Sequence, residues 1–195
     1  MDKAVTQTLL SSVYDVAKIT PLHYATKLSA ILQTELYLKR EDLQPVHSFK
    51  LRGAYNKMAQ LRVYQKQHGV IAASAGNHAQ GVALAAQKLG IDALIIMPKT
   101  TPRIKVDAVA SYGATIELYG DNYSEAAKYC AQRQQATKRT FIHPFDDPIV
   151  IAGQGTIGKE IIEQLPQVTH IFVPVGGGGL ISGIAQYVKA LRPDI

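Results

Sequence analysis

The stretch VIAASAGNHAQGVALAAQKLG, residues 70–90, runs from an unbroken apolar segment through a corner of small and polar residues into a helical pattern. Residues 70–73 have the length and character of a strand buried on both faces, and Val82, Leu84, Ala85 and Leu89 make the following helix apolar toward a core. The same unit recurs outward. Strands are expected at VIAAS (70–74), ALIIMP (93–98), TIELYG (115–120), TFIHP (140–144) and HIFVPV (170–175), and helices beginning near Asn77, Pro102, Ser124, Asp147 and Leu180. Upstream, ELYLKRE (35–41) alternates like a strand, residues 51–61 look helical, and residues 1–21 read as an amphipathic helix. Strand–helix alternation with short connections predicts an α/β fold with a parallel, helix-covered sheet, whose ligands bind at the carboxyl ends of the strands.

At 195 residues, the chain suffices for one good core or two small α/β lobes. The net charge of +6 raises the question of nucleic acid, but Lys and Arg are scattered on polar helix faces, as in AQRQQATKRT (131–140), so none is expected. Cys130 is the single cysteine, which leaves no disulfide framework or multi-cysteine zinc site and suggests a reducing compartment. The N-terminus carries charges inside its apolar stretch, unlike a signal peptide, and no apolar run approaches membrane-spanning length; a cytoplasmic protein is expected. The sequence stops at KALRPDI (189–195), where another strand should follow, as in a fragment truncated at its C-terminus.

Three places carry candidate chemistry. In FVPVGGGGLISG (172–183), residues 172–175 read as a buried parallel strand, and four glycines stand where it turns into a helix. Bare backbone N–H groups at a helix N-terminus suit a phosphate. The P-loop spacing fails because Ile184 and Ala185 follow Gly183, and the dinucleotide spacing fails at Ile181 and Ser182, which leaves a small monophosphate. AGQGTIG (152–158) does match the dinucleotide spacing, but no acidic residue occurs between Glu163 and Asp194, so its glycines are expected inside a helix, allowing close packing or ligand approach. At the corner after residue 73, Ser74, Gly76, Asn77 and His78 suit a carboxylate held by backbone N–H groups, with capping by Ser74 or Asn77 as the plainer alternative. His143 and His170 are expected to be packing or surface residues.

The third place is HSFKLRGAYNKM (47–58). Lys50 lies between Phe49 and Leu51 at the start of a helix for which Ser48 is the expected N-cap. Burial, the positive helix end and nearby Arg52 are each expected to lower the lysine's pKa. A neutral amine can form a Schiff base with an aldehyde, which is how enzymes hold pyridoxal 5′-phosphate. Lysine, monophosphate loop and carboxylate corner together favour that cofactor, over a non-catalytic anion-binding module or a nicotinamide oxidoreductase.

KREDLQPVHSFKLRGAYNKM (39–58), SAGNHAQGVA (74–83), DPIVIAGQGTIG (147–158) and VPVGGGGLISG (173–183) resemble, in order, segments of threonine dehydratases (threonine ammonia-lyases), which are fold type II, tryptophan synthase β-like pyridoxal phosphate enzymes. The likeness runs from about Thr20 to the last residue. Catabolic threonine dehydratases and serine racemases resemble the last three segments nearly as well but usually have Thr-Gly-Ser-Phe-Lys before the helix; Val46 and His47 here look like the biosynthetic, isoleucine-pathway type. The resemblance implies that Lys50 carries the cofactor with Phe49 beside it and that Asn77 faces its phenolic oxygen. Gly176, Gly177, Gly178, Gly179 and Leu180 would hold its phosphate, and Ser74, Gly76, Asn77 and His78 the substrate carboxylate. It implies no metal among these residues and two lobes, with residues 1–52 and 144–195 in an incomplete larger lobe and 53–143 in a smaller one. It also implies a homo-oligomer that deaminates L-threonine, with L-serine as a second substrate, to 2-oxobutanoate and ammonia.

Overall fold

A computed structural model describes residues 2–195. Four parallel strands, β3 (Val70–Ala73), β4 (Ala93–Met97), β5 (Thr115–Leu118) and β6 (Thr140–Phe141), form one sheet in the order β5-β4-β3-β6. Val70 faces Ala93 in one ladder and Thr140 in the other, while Leu94 faces Thr115. The expected alternation is what builds it. Helices α5 (Asn77–Leu89), α6 (Arg103–Ala110) and α7 (Tyr123–Thr137) connect the strands; α5 starts where the pattern puts it, α6 one residue later and α7 one residue earlier. β3 and β4 are buried throughout because both faces are covered. Val70, Ala72, Ile95 and Met97 pack with Ala54, Met58, Ala79 and Val82 from the α5 side, and Ile71, Ala73, Leu94 and Ile96 pack with Ala126 and Cys130 of α7.

The other elements come from the two ends of the chain. Helix α1 (Lys3–Leu9), the antiparallel pair β1 (Leu22–Tyr24) and β2 (Tyr37–Lys39) with α2 (Thr26–Leu32) between them, α3 (Lys50–Ala59) and α4 (Val63–His68) precede the sheet; α8 (Pro148–Gln164) and α9 (Gly179–Leu191) follow it. The AGQGTIG segment lies inside α8, as the helix-interior reading expects. A Cβ on Gly153 would come within 2.8 Å of the Arg52 carbonyl on α3, and one on Gly155 within 3.0 Å of the Gly183 carbonyl on α9. These glycines serve helix crossings, not a nucleotide.

One expected strand is absent. Residues 170–175 form no strand, with Phe172 89% and Val175 64% exposed, which corrects the reading of residues 172–175 as a buried strand. The alternation survives, since Ile171 and Val173 pack against the α8–α9 cluster of Ile157, Ile161, Ile184 and Val188. A strand also needs a neighbour for its N–H and C=O groups, and among the described residues none lies alongside. No described helix is long and apolar enough to cross a membrane.

Candidate functional site

Strand order makes a crevice. From β3 the chain moves to β4 and β5 on one side, then returns to β6 on the other, so β3 and β6 are neighbours at the point where the strand order reverses. Such a switch point is where open α/β sheets bind ligands. Residues 74–77 leave β3 there, and residues 142–145 leave β6.

At the first exit, α5 starts without a side-chain cap. Ser74 Oγ is turned inward to accept the Gly76 N–H at 3.2 Å, and Asn77 remains exposed, so the plain capping alternative does not account for the corner. The first N–H groups of α5 thus have neither an intrahelical partner nor a side-chain cap. A Cβ on Gly76 would meet nothing within 4 Å. The His78 ring is buried, and its Nε2–H donates to the Ile142 carbonyl at 2.8 Å; it contributes a backbone N–H to the corner while its ring locks α5 to the second exit.

Burial outweighs that hydrogen bond and pushes the His78 pKa down to about 4. A folded-state value below the unfolded one means that the unfolded chain binds the proton first on acidification. The stability contribution is therefore intact above the ordinary histidine range and is lost as pH falls from about 6.5 to about 4. His78→Gln keeps a donor toward Ile142. Urea unfolding at pH 7 and pH 4 should show the native chain losing about 3 kcal/mol more than this variant. Equal losses would mean that His78 is not the buried neutral group described.

Lys50 opens α3 and is half-buried. Its Nζ donates to the Pro144 carbonyl at 2.7 Å and lies 5.4 Å from the centre of the Phe49 ring. Burial alone lowers its pKa below the ordinary lysine range. Two expectations about its neighbours are corrected. Phe49, not Ser48, occupies the N-cap position, and Ser48 Oγ is buried without a hydrogen-bond partner. The reason is the turn before it, where His47 is left-handed (φ 53°) and swings the chain into the helix one residue later. Arg52 does not act on Lys50 either, because its guanidinium points away into a buried ion cluster.

That cluster had no sequence motif to announce it. Arg52 donates to both carboxylate oxygens of Glu41, each at 2.8 Å, to Glu160 at 2.6 and 3.1 Å, and to Thr156 Oγ1 at 3.0 Å. Lys39 joins through Glu160 at 2.6 Å, the Thr20 carbonyl at 2.6 Å and Gln164 at 2.8 Å. Two cations meet two carboxylates. Burial opposes the Arg52 charge, but the hydrogen bonds it donates to Glu41 and Glu160 overcome that cost and hold the group firmly protonated. The cluster ties α3, two residues beyond Lys50, to α8 and to the segment around β2. The available signals were Glu160 inside the apolar helix AGQGTIGKEII and the charge-rich KRED before it in the chain.

The glycine loop lies at the start of α9, again with no side-chain cap. Gly178 is left-handed (φ 87°), and its carbonyl accepts the first helical bond, from Ser182 at 2.9 Å, so the N–H groups of Gly179, Leu180 and Ile181 are left free. The four glycines divide by what lies beside them. Cβ atoms on Gly177 and Gly179 would meet Phe145, at 2.3 Å from the ring and 2.7 Å from the carbonyl; on Gly176 and Gly178 they would meet nothing within 4 Å. Phe145 therefore supports one side, and the other is open bare backbone. Gly176, like Gly76, is not in the left-handed region, so nothing within the protein requires glycine there. A cradle that a Cβ would fill, at the positive end of an uncapped helix, fits the phosphate of pyridoxal phosphate.

The second exit joins these parts, and sequence reasoning missed it. Ile142 accepts from His78, Pro144 from Lys50, and Phe145 lies beneath the glycine loop. A groove of about 700 Å³ lined by Asp2, Lys3, Gln7, Pro148, Gln186 and Lys189 contains none of these residues. No cluster of three or more His, Cys, Asp or Glu side chains able to hold a metal occurs among the described residues.

Comparison with known proteins agrees with this geometry. Residues 13–195 match the family described as pyridoxal-phosphate dependent enzyme. The chain is 60% identical over 192 residues to a biosynthetic, chloroplastic threonine dehydratase of Solanum lycopersicum, covering 98% of this chain and 32% of that protein. It is 57% identical over 187 residues to the biosynthetic L-threonine dehydratase of Pasteurella multocida, covering 96% and 36%. Among solved structures, the processed threonine deaminase isoform 2 of Solanum lycopersicum superposes with a TM-score of 0.96 at 52% identity over 98% of this chain and 53% of that one. Maize serine racemase gives 0.94 at 36% identity, over 98% and 58%. The chain thus spans about a third of the length of the curated relatives it matches.

Proposed function

The chain belongs to the pyridoxal-phosphate dependent enzyme family, and on that premise we propose that it supplies the cofactor-holding part of a biosynthetic threonine ammonia-lyase. That enzyme converts L-threonine to 2-oxobutanoate and ammonia, the reaction that opens isoleucine synthesis. The observation that carries the reading is the single turn, residues 142–145, in contact with both the Lys50 amine and the bare glycine loop. Identity to the biosynthetic dehydratases of 52–60% supports threonine over the racemase alternative, which matches at 36%.

In this reading, Lys50 and Phe49 hold the cofactor ring, Asn77 its phenolic oxygen, and Gly176 to Gly179 with Leu180 its phosphate. The cofactor supplies an electron sink for charge developing at the substrate Cα. The free N–H groups after Ser74 and Gly76 hold the threonine carboxylate. Lys50 takes the Cα proton, a role suited to an amine whose pKa burial lowers. The β-hydroxyl then departs with a proton as water, and hydrolysis of the remaining enamine consumes a water, whose oxygen becomes the keto oxygen, and releases ammonia. We read residues 53–143 as the smaller lobe, supported by the location of all four sheet strands between 70 and 141, and the working protein as a cytoplasmic or plastid enzyme.

The test is keto-acid formation from L-threonine, with L-serine in parallel, by the protein in the length of its relatives. Threonine turnover that needs pyridoxal phosphate is expected, and racemisation of serine without keto acid would favour the other reading. A narrower test concerns the cradle. Gly176→Ala should leave stability within about 0.5 kcal/mol, as for surface substitutions, while weakening pyridoxal phosphate and inorganic phosphate binding about tenfold or more. Unchanged binding by calorimetry would move the phosphate away from this loop.

A further inference from the structure

We infer that the turn at residues 142–145 is a positioning element of this site, and that His143 sets its shape by accepting two backbone N–H groups on one ring nitrogen. The inference rests on the reading of Lys50 as the cofactor lysine. His143 Nδ1 accepts from Phe145 N at 3.2 Å and from Asp146 N at 2.7 Å. This is the pattern an Asx turn makes with a carboxamide or carboxylate oxygen, accepting from the residues two and three ahead. It requires that Nδ1 carry no proton. The same ring stands edge-on to Phe141, with centroids 5.8 Å apart at 84°, and to Phe145, 4.7 Å apart at 86°. One imidazole thus closes the turn with its polar edge and aligns two aromatic rings with the rest.

The consequences of that alignment are distributed over the whole site. Phe145 is pressed against Gly177 and Gly179, which leaves the open side of the loop facing outward. Pro144 has no N–H and a restricted φ, and its carbonyl takes one N–H of the Lys50 amine. Ile142 holds the start of α5 through His78. A turn of different shape would shift the lysine, the phosphate loop and the carboxylate corner relative to one another. His143 touches neither cofactor nor substrate in this account. It acts through Pro144 and Phe145.

The experiment compares pyridoxal 5′-phosphate with pyridoxal, which lacks the phosphate, by borohydride trapping and mass mapping of the label on Lys50. In the native chain the phosphate compound should label Lys50 much faster, because loop and lysine are set to receive it together. His143→Ala should reduce this preference about tenfold, the size expected for losing one or two turn hydrogen bonds, with the circular dichroism spectrum unchanged. His143→Asn should restore most of it, since its carboxamide oxygen can accept the same two N–H groups. Phe145→Leu, which leaves the turn's hydrogen bonds in place, should also reduce the preference and serves if His143→Ala does not fold. An unaltered preference in His143→Ala or Phe145→Leu, or an Asn variant no better than Ala, overturns the inference while the labelled native chain upholds the cofactor reading. A native chain unlabelled at Lys50 overturns both.

Discussion

Arg52→Met is expected to destabilise the folded chain by about 3–5 kcal/mol, because it leaves the buried Glu160 and the part-buried Glu41 with Lys39 as the one remaining cation between them. The native arrangement is tolerable because each guanidinium N–H finds an oxygen and the charges cancel. Removing one member exposes the desolvation cost of the others. Glu160→Gln should have a similar effect, since Glu160 serves both Arg52 and Lys39. The control is Arg103→Met, whose partner Asp107 is exposed with it; that pair should contribute less than about 1 kcal/mol. Urea denaturation measures all three. A loss below 1 kcal/mol for Arg52→Met would show that the cluster is not the brace between α3 and α8 described here.

Two residues away, Lys50→Ala should do the opposite. It is expected to eliminate covalent capture of pyridoxal phosphate entirely, since no other amine in the site replaces its nucleophile, while changing stability by only about 1 kcal/mol. The side chain makes one hydrogen bond, to Pro144, and its removal also relieves a partly buried amine. Phosphate binding should survive, because the glycine loop is supported by Phe145 and not by Lys50. Loss of folding in this variant, or an undiminished adduct, would contradict the assignment. The contrast places function and stability two residues apart on one helix turn, facing opposite ways.

The parts of this architecture written in local pattern were legible from sequence, and the parts made by distant partners were not. β3 and β4 could be read because both faces of each strand are covered, so every residue is apolar. Likewise α5 and α9 announced themselves by apolar spacing after small-residue corners. Residues 170–175 carry an equally good strand pattern, but a strand exists only when another lies beside it, and no local pattern reports that. Ser48 has the right chemistry for a cap and lost the position to the left-handed turn at His47, which its neighbours do not signal. Arg52 looked like a charge acting on Lys50, when its partner Glu160 lies 108 residues on. His143 reads from sequence as a packing or surface residue, though its alternation with Phe141 and Phe145 hints that three rings share one side of the chain.

The central claim is that Lys50 is the amine that takes the cofactor, with the glycine loop receiving its phosphate. Its most direct test is to add pyridoxal 5′-phosphate to the folded chain, reduce with borohydride, digest, and locate the phosphopyridoxyl group by mass spectrometry. The account predicts one dominant adduct, on Lys50, suppressed by excess inorganic phosphate. A folded chain labelled at random over its surface lysines, or at a single lysine other than Lys50, would contradict it.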